Sequence, residues 1–356
     1  MTKALKALKA LPMPLLSPTG VRLSRMLLLI FLLPTVVSAQ TLYVDEQFGF
    51  ERTTGVVFTT KPAGDPVADM DLRLELYEPT GTGVPTPRPA LILIHGGGFV
   101  GGTRFNARLV ELCERMARRG YTCVSIDYRL EGDAPVVGAP FLPIQASVEA
   151  AGGTPQRAAA IAAAGEDSWA AYEWLVSNAG ALGIDMARIG VGGSSAGAFT
   201  SLIDAYVLDE IGVAPANAYR AVFEMWGGLG ASVALIDATD APLLITHGSL
   251  DTTVPVSEAY ALEAQAISVG LPHEAHVVTG AGHGYDIFTV EVVPGETMFD
   301  RFVAFFYTHV AQASAPPTVP FMSIAYQRLL LAALLIGGTY AIARMIRTRG
   351  NAHGKG

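Results

Sequence analysis

Short apolar runs punctuated by turn residues recur along the middle of the chain, and they alternate with stretches whose apolar positions fall at helical spacing. Gly55–Thr60 and Leu72–Tyr77 alternate apolar and polar residues in whole or part. Pro62, Gly64 and Pro66 lie between them, and Pro79 to Gly83 follow, a pattern that predicts antiparallel strands at a sheet edge. Ala90–Ile94 is instead continuously apolar, as a strand covered on both faces must be. A helical pattern over Ala107–Ala117 closes at Gly120, and Tyr121–Ile126 is a second buried strand. The alternation goes on through a helix over Ser168–Asn178, a strand at Arg188–Val191, a helix from Ala196 and a strand at Ala221–Glu224. A strand at Pro242–Thr246, a helix at Ser257–Ser268 and a strand at Glu274–Val278 complete it. This order predicts an α/β domain with a mostly parallel sheet, helices on both faces and antiparallel edge strands at its N-terminal side. Ligands of such sheets sit beyond the carboxyl ends of the strands.

Glu131–Ala164 interrupts the rhythm with Pro135, Gly138, Pro140 and Pro143, followed by an alanine-rich, helix-like run. It is read either as a lid or acyl-pocket wall over the site or as a surface excursion.

Composition separates the two ends from the middle. Residues 1–39 contain five bases and no acid, as do residues 321–356, which leaves 14 bases against 32 acids between residues 40 and 320. That central charge of −18 repels polyanions, so nucleic acid is excluded as a partner. Bases before the apolar run Met26–Leu33 and the small residues Val37-Ser38-Ala39 predict a signal peptide over 1–39 and therefore export. The catalytic domain is expected over 40–312 and a Pro-rich linker over 313–320. A transmembrane or sorting segment with a basic tail is expected over 321–356, tethering the domain to a membrane at the periplasmic or cell-surface side. Cys113 and Cys123 are either a disulfide of an exported protein or two buried thiols.

The candidate chemistry lies at strand ends. Gly193-Ser194-Ser195-Ala196-Gly197 fits G-x-S-x-G in one register only, because centring it on Ser194 would require glycine where Ala196 stands. Such a motif is a tight strand-to-helix turn that exposes the central hydroxyl, here that of Ser195. His95-Gly96-Gly97-Gly98 follows the strand ending at Ile94, and consecutive glycines let backbone N–H groups approach a developing oxyanion. Asp251 follows the strand ending at Thr246, and His283 follows the last strand. Serine needs an imidazole to remove its proton, and a carboxylate to hold that imidazole in the useful tautomer.

With these motifs in place the chain resembles the α/β-hydrolase esterases and lipases that carry the HGGG motif, the hormone-sensitive lipase and carboxylesterase group. Ser125-Ile126-Asp127-Tyr128-Arg129-Leu130 and Gly183–Ile189 match the spacers of that group, and the likeness covers about residues 70–308. The resemblance implies Ser195 as nucleophile, His283 as base and Asp251 as acid. It further implies Gly97, Gly98 and Ala196 as oxyanion-hole donors, a small-molecule ester as substrate, and no cofactor or metal. One departure is that Ser194 and Gly197-Ala198 stand where the group often has Asp and Gly-Gly. Glu224 is a rival acid, His247 reads as a structural strand-end residue, and His95 reads as a loop-ordering one. None of the seven histidines has the H-E-x-x-H spacing of a zinc site. A serine peptidase of the prolyl-oligopeptidase type and a non-catalytic adhesion-type relative remain as alternatives.

Overall fold

Strands that are apolar on both faces must be covered on both, and the sheet at the centre of the molecule meets that demand. The computed structural model describes residues 41–312. In chain order it contains β1 Gly49–Ala63, β2 Ala68–Thr80, β3 Arg88–Ile94, α1 Ala107–Ala117, β4 Thr122–Ile126, α2 Leu142–Ala150 and α3 Pro155–Leu182. These are followed by β5 Ile184–Ser194, α4 Ala196–Tyr206, β6 Ala221–Met225, β7 Leu243–Gly248, α5 Ser257–Val269 and β8 His273–Val278. A small hairpin, β9 Glu291–Val293 and β10 Glu296–Thr297, leads into α6 Met298–Phe306. Eight strands form one sheet in the order β1-β2-β4-β3-β5-β6-β7-β8. The pairs β1–β2 and β2–β4 are antiparallel, and every later pair is parallel.

Alternation along β3 assigns its side chains to two cores. Ile92 and Ile94 pack on the face that also takes Leu175 of α3, Leu202 of α4 and Leu262 of α5. Leu91 and Leu93 pack on the other face, with Leu112 of α1 and Phe302 and Phe306 of α6. Each such side chain removed from water stabilises the fold by about 1.5–3 kcal/mol. Cys113 and Cys123, both fully buried, form a disulfide between α1 and β4, with Cα atoms 5.3 Å apart.

Three elements differ from the sequence-based expectation. The edge hairpin is longer, because β1 and β2 continue their pairing out to Ala63 and Ala68. Helix α3 starts at Pro155 rather than Ser168: the Thr154 side chain accepts from the Arg157 N–H, Pro155 occupies the first turn, and the alanine run belongs to the same helix. Helix α6 was not expected at all, although Thr297 and Asp300 form a reciprocal capping box at its start.

Between β4 and α3, Arg129 is fully buried and holds several segments at once. Its guanidinium bonds both oxygens of Asp167, reaches Glu166, and donates to the carbonyls of Pro62 and Val136. A side chain with five donors and no acceptor suits a junction of carboxylates and carbonyls. Among the described residues no helix is long and apolar enough to cross a membrane. The expected signal peptide over 1–39, the linker over 313–320 and the membrane or sorting segment over 321–356 lie outside the described residues.

Candidate active site

β5 ends at Ser194, and α4 begins at Ala196, so Ser195 alone makes the turn. Its backbone has φ +54° and ψ −119°, a strained conformation for a non-glycine residue, and its N–H is tied to the Met225 carbonyl at 2.9 Å. The flanking glycines are required by contact. A Cβ at Gly193 would collide with the Gly197 carbonyl, and one at Gly197 would collide with the Ile94 carbonyl. The turn leaves Ser194 buried at 3% exposure and Ser195 partly exposed, with the first turn of α4 directly beyond it.

The loop after β3 lies against this turn. A Cβ on Gly96 would sit 3.1 Å from the Ser195 Cβ, so only glycine lets the two backbones approach so closely. Gly97 has φ +132° and Gly98 φ +60°. The Gly97 carbonyl accepts from Val100 and Gly101, both at 3.1 Å, and the Phe99 carbonyl accepts from Glu131 at 2.8 Å. Arg157 of α3 donates to the Gly98 carbonyl and pairs with Glu131. Within the described residues the N–H groups of Gly97, Gly98 and Ala196 bond to no backbone carbonyl. The Glu131–Ala164 stretch therefore braces the glycine loop through Glu131 and Arg157.

The loops after β7 and β8 bring up Asp251 and His283. They are laced together by Leu250 N–H to the Ala281 carbonyl at 2.8 Å and Gly280 N–H to Ser249 Oγ at 2.9 Å. His283 Nδ1 lies 2.7 Å from Asp251 Oδ2, and Nε2 lies 2.9 Å from Ser195 Oγ. A carboxylate only accepts, so Nδ1 carries the hydrogen and Nε2 is free to accept from the serine hydroxyl. Asp251 Oδ1 accepts from the Thr253 and Val254 N–H groups at 2.8 and 3.0 Å. Burial by itself pushes the Asp251 carboxyl up, but the hydrogen bond from His283 and the two backbone N–H groups outweigh it and hold it below the usual carboxylate range. The arrangement can deprotonate a serine hydroxyl and stabilise the imidazolium that results.

The rival residues fall elsewhere. Glu224 is fully buried under the loop after β6, where its Oε1 accepts from the Gly227 N–H, and it makes no bond to His283. His95 is buried and stacks on Tyr128, with ring centroids 4.3 Å apart, and its Nδ1 bonds the Gly96 carbonyl at 2.8 Å. His247 is fully buried, yet its Nε2 lies 3.2 Å from Asp251 Oδ2, a proximity the sequence reading did not anticipate. Trp226 was also missed. It has φ +45°, packs beside Gly284, the residue after His283, and has its ring 5.1 Å from that of Tyr285. Its only sequence signal is its place directly after an apolar strand.

Comparison with known proteins bears on the fold. Residues 74–140 match the BD-FAE family model, and residues 158–213 match the model described as alpha/beta hydrolase fold. An AB hydrolase superfamily protein of Schizosaccharomyces pombe is 29% identical over 161 residues, 45% of this chain and 36% of the relative. The carboxylesterase NlhH of Mycobacterium tuberculosis is 31% identical over 127 residues, 36% of this chain and 32% of the relative. The match thus spans about a third of the length of these curated relatives. Among solved structures, the propionate-bound Est2 esterase of Thermogutta terrifontis superposes with a TM-score of 0.53 at 20% identity. That superposition covers 78% of this chain and all of the esterase. The form of esterase 2 phosphorylated by paraoxon gives a TM-score of 0.52 at 21% identity, covering 77% and 100%.

Proposed function

From the α/β-hydrolase fold that this chain has, we propose that it is a serine hydrolase of carboxylic esters working through an acyl-enzyme, with Ser195 as nucleophile, His283 as base and Asp251 as acid. The observation that carries the reading is the unbroken line from Asp251 Oδ2 through His283 to Ser195 Oγ, at 2.7 and 2.9 Å, on a strained turn. Ser195 Oγ attacks the ester carbonyl carbon while its proton passes to His283 Nε2. The carbonyl oxygen becomes an oxyanion facing the N–H groups of Gly97, Gly98 and Ala196. Collapse of this intermediate breaks the bond to the alkoxy oxygen, which leaves as the alcohol with the His283 proton. Water then gives a proton to His283 and attacks the acyl carbon, and collapse breaks the acyl bond to Ser195 Oγ, which takes the proton back from His283 as the acid leaves. Support also comes from the relative named as a carboxylesterase and from the organophosphate adduct of the structural neighbour.

Turnover of p-nitrophenyl acetate against that of an aminoacyl-proline anilide tests this reading. Fast release from the ester alone is expected. Preference for the anilide would reassign the protein to the peptidases, and no turnover of either would make it a non-catalytic relative.

A disulfide persists in oxidising compartments, and the acid-free, basic ends suit a cleaved export signal and a C-terminal membrane tether over residues 321–356. Full-length protein recovered in the soluble fraction without detergent would rule out the tether.

A further inference from the structure

Asp251 has one more N–H group beside it than the triad requires. Its Oδ1 is held by the N–H groups of Thr253 and Val254, and its Oδ2 takes the His283 hydrogen bond. The imidazole of His247, four residues earlier and on β7, approaches the same oxygen. His247 is fully buried, with Nε2 3.0 Å from the Val254 carbonyl and 3.2 Å from Asp251 Oδ2. Both neighbours are acceptors, so Nε2 carries the hydrogen. Nδ1 is buried and has no hydrogen-bond partner among the described residues. Leaving a buried ring nitrogen unpaired is costly, and the cost is retained here at a point where the other nitrogen touches the acid of the site.

We infer that His247 is a positioning residue of this site, acting through Asp251. It works in two ways. The hydrogen bond to the Val254 carbonyl fixes the turn whose N–H groups grip Oδ1, and the N–H edge of the ring, 3.2 Å from Oδ2, holds that oxygen toward His283. The inference rests on the serine-hydrolase reading and adds a fourth side chain to it.

The test uses a volume-matched pair in the full-length chain. His247→Gln keeps an N–H near the Nε2 position, whereas His247→Met fills the same space without a donor. Loss of the hydrogen bond to Val254, and of the N–H edge beside Asp251, predicts a fall in kcat of about 10-fold in the Met variant, with KM within about twofold. The Gln variant is expected within about threefold of the wild type. Wild-type kcat in the Met variant overturns the inference, and so does an equal fall in both variants, since the residue would then act by packing alone. A measurement on the wild type keeps the idea falsifiable if neither variant folds. Long-range proton–nitrogen correlation spectra should show the His247 hydrogen on Nε2, and a hydrogen on Nδ1 overturns the arrangement. Failure of the broader reading looks different. The wild type would then not turn over ester and Ser195 would not be labelled by a fluorophosphonate, whatever His247 does.

Discussion

Two adjacent serines differ in conformation and in what they touch. Ser194 ends β5 and is buried, whereas Ser195 alone has the positive φ and the His283 contact. Ser195→Ala should lower kcat by at least ~10³-fold, because binding and oxyanion stabilisation are all that would remain. Ser194→Ala should change kcat by less than about threefold, and steady-state kinetics on p-nitrophenyl acetate would expose a reversed order at once. This distinction was readable from the sequence, since glycine spacing admits only one centre. The position of Asp251 and His283 after successive strands was equally readable. The approach of His247 to Asp251 was not, because it depends on how the turn 251–254 folds back on β7, and no local pattern encodes that.

At the scale of elements, the apolar runs and their spacing reveal the parallel strands well, since a strand buried on both faces has few other ways to be written. Helix α6 was missed despite its capping box, because a short segment near the end of the domain offers too few turns for periodicity to stand out. The loop after β6 shows a different kind of hidden information. Glu224 is fully buried on β6 and has one oxygen without a partner among the described residues. Burial pushes its carboxyl up to about 8, with Glu258 and Asp251 adding to the rise, against the N–H groups of Gly227 and Thr246. The folded chain thus holds a proton that the unfolded chain, titrating near 4.5, releases. Stability must fall as pH rises from about 4.5 to about 8 and level off above that. Glu224→Gln removes this loss. Its melting temperature should exceed that of the wild type at pH 9, by at least about 1 kcal/mol in unfolding free energy, and the gap should narrow toward pH 5. Esterase activity at pH 7 should be largely kept, because Glu224 makes no bond to His283. A gap that stays constant across this range would show that the carboxyl does not titrate there.

For the molecule as a whole, the Arg129 junction decides which parts come apart together. The hairpin at Pro62, the stretch at Val136 and helix α3 at Glu166 and Asp167 all meet on one guanidinium that water does not reach. Taking one strand of that junction away would leave a buried charge without its partners, which costs several kcal/mol. The region 131–150 has the look of an appended cap, yet it cannot swing out on its own without breaking the junction. In amide hydrogen exchange, the protected amides of α2 should therefore open in the same cooperative event as those of α3, rather than at the low free energies typical of surface loops. Exchange of α2 that is much faster than that of α3 would separate the two. If they open as one, the stretch cannot lift as a lid independently of α3, and access to Ser195 is not gated by such a motion.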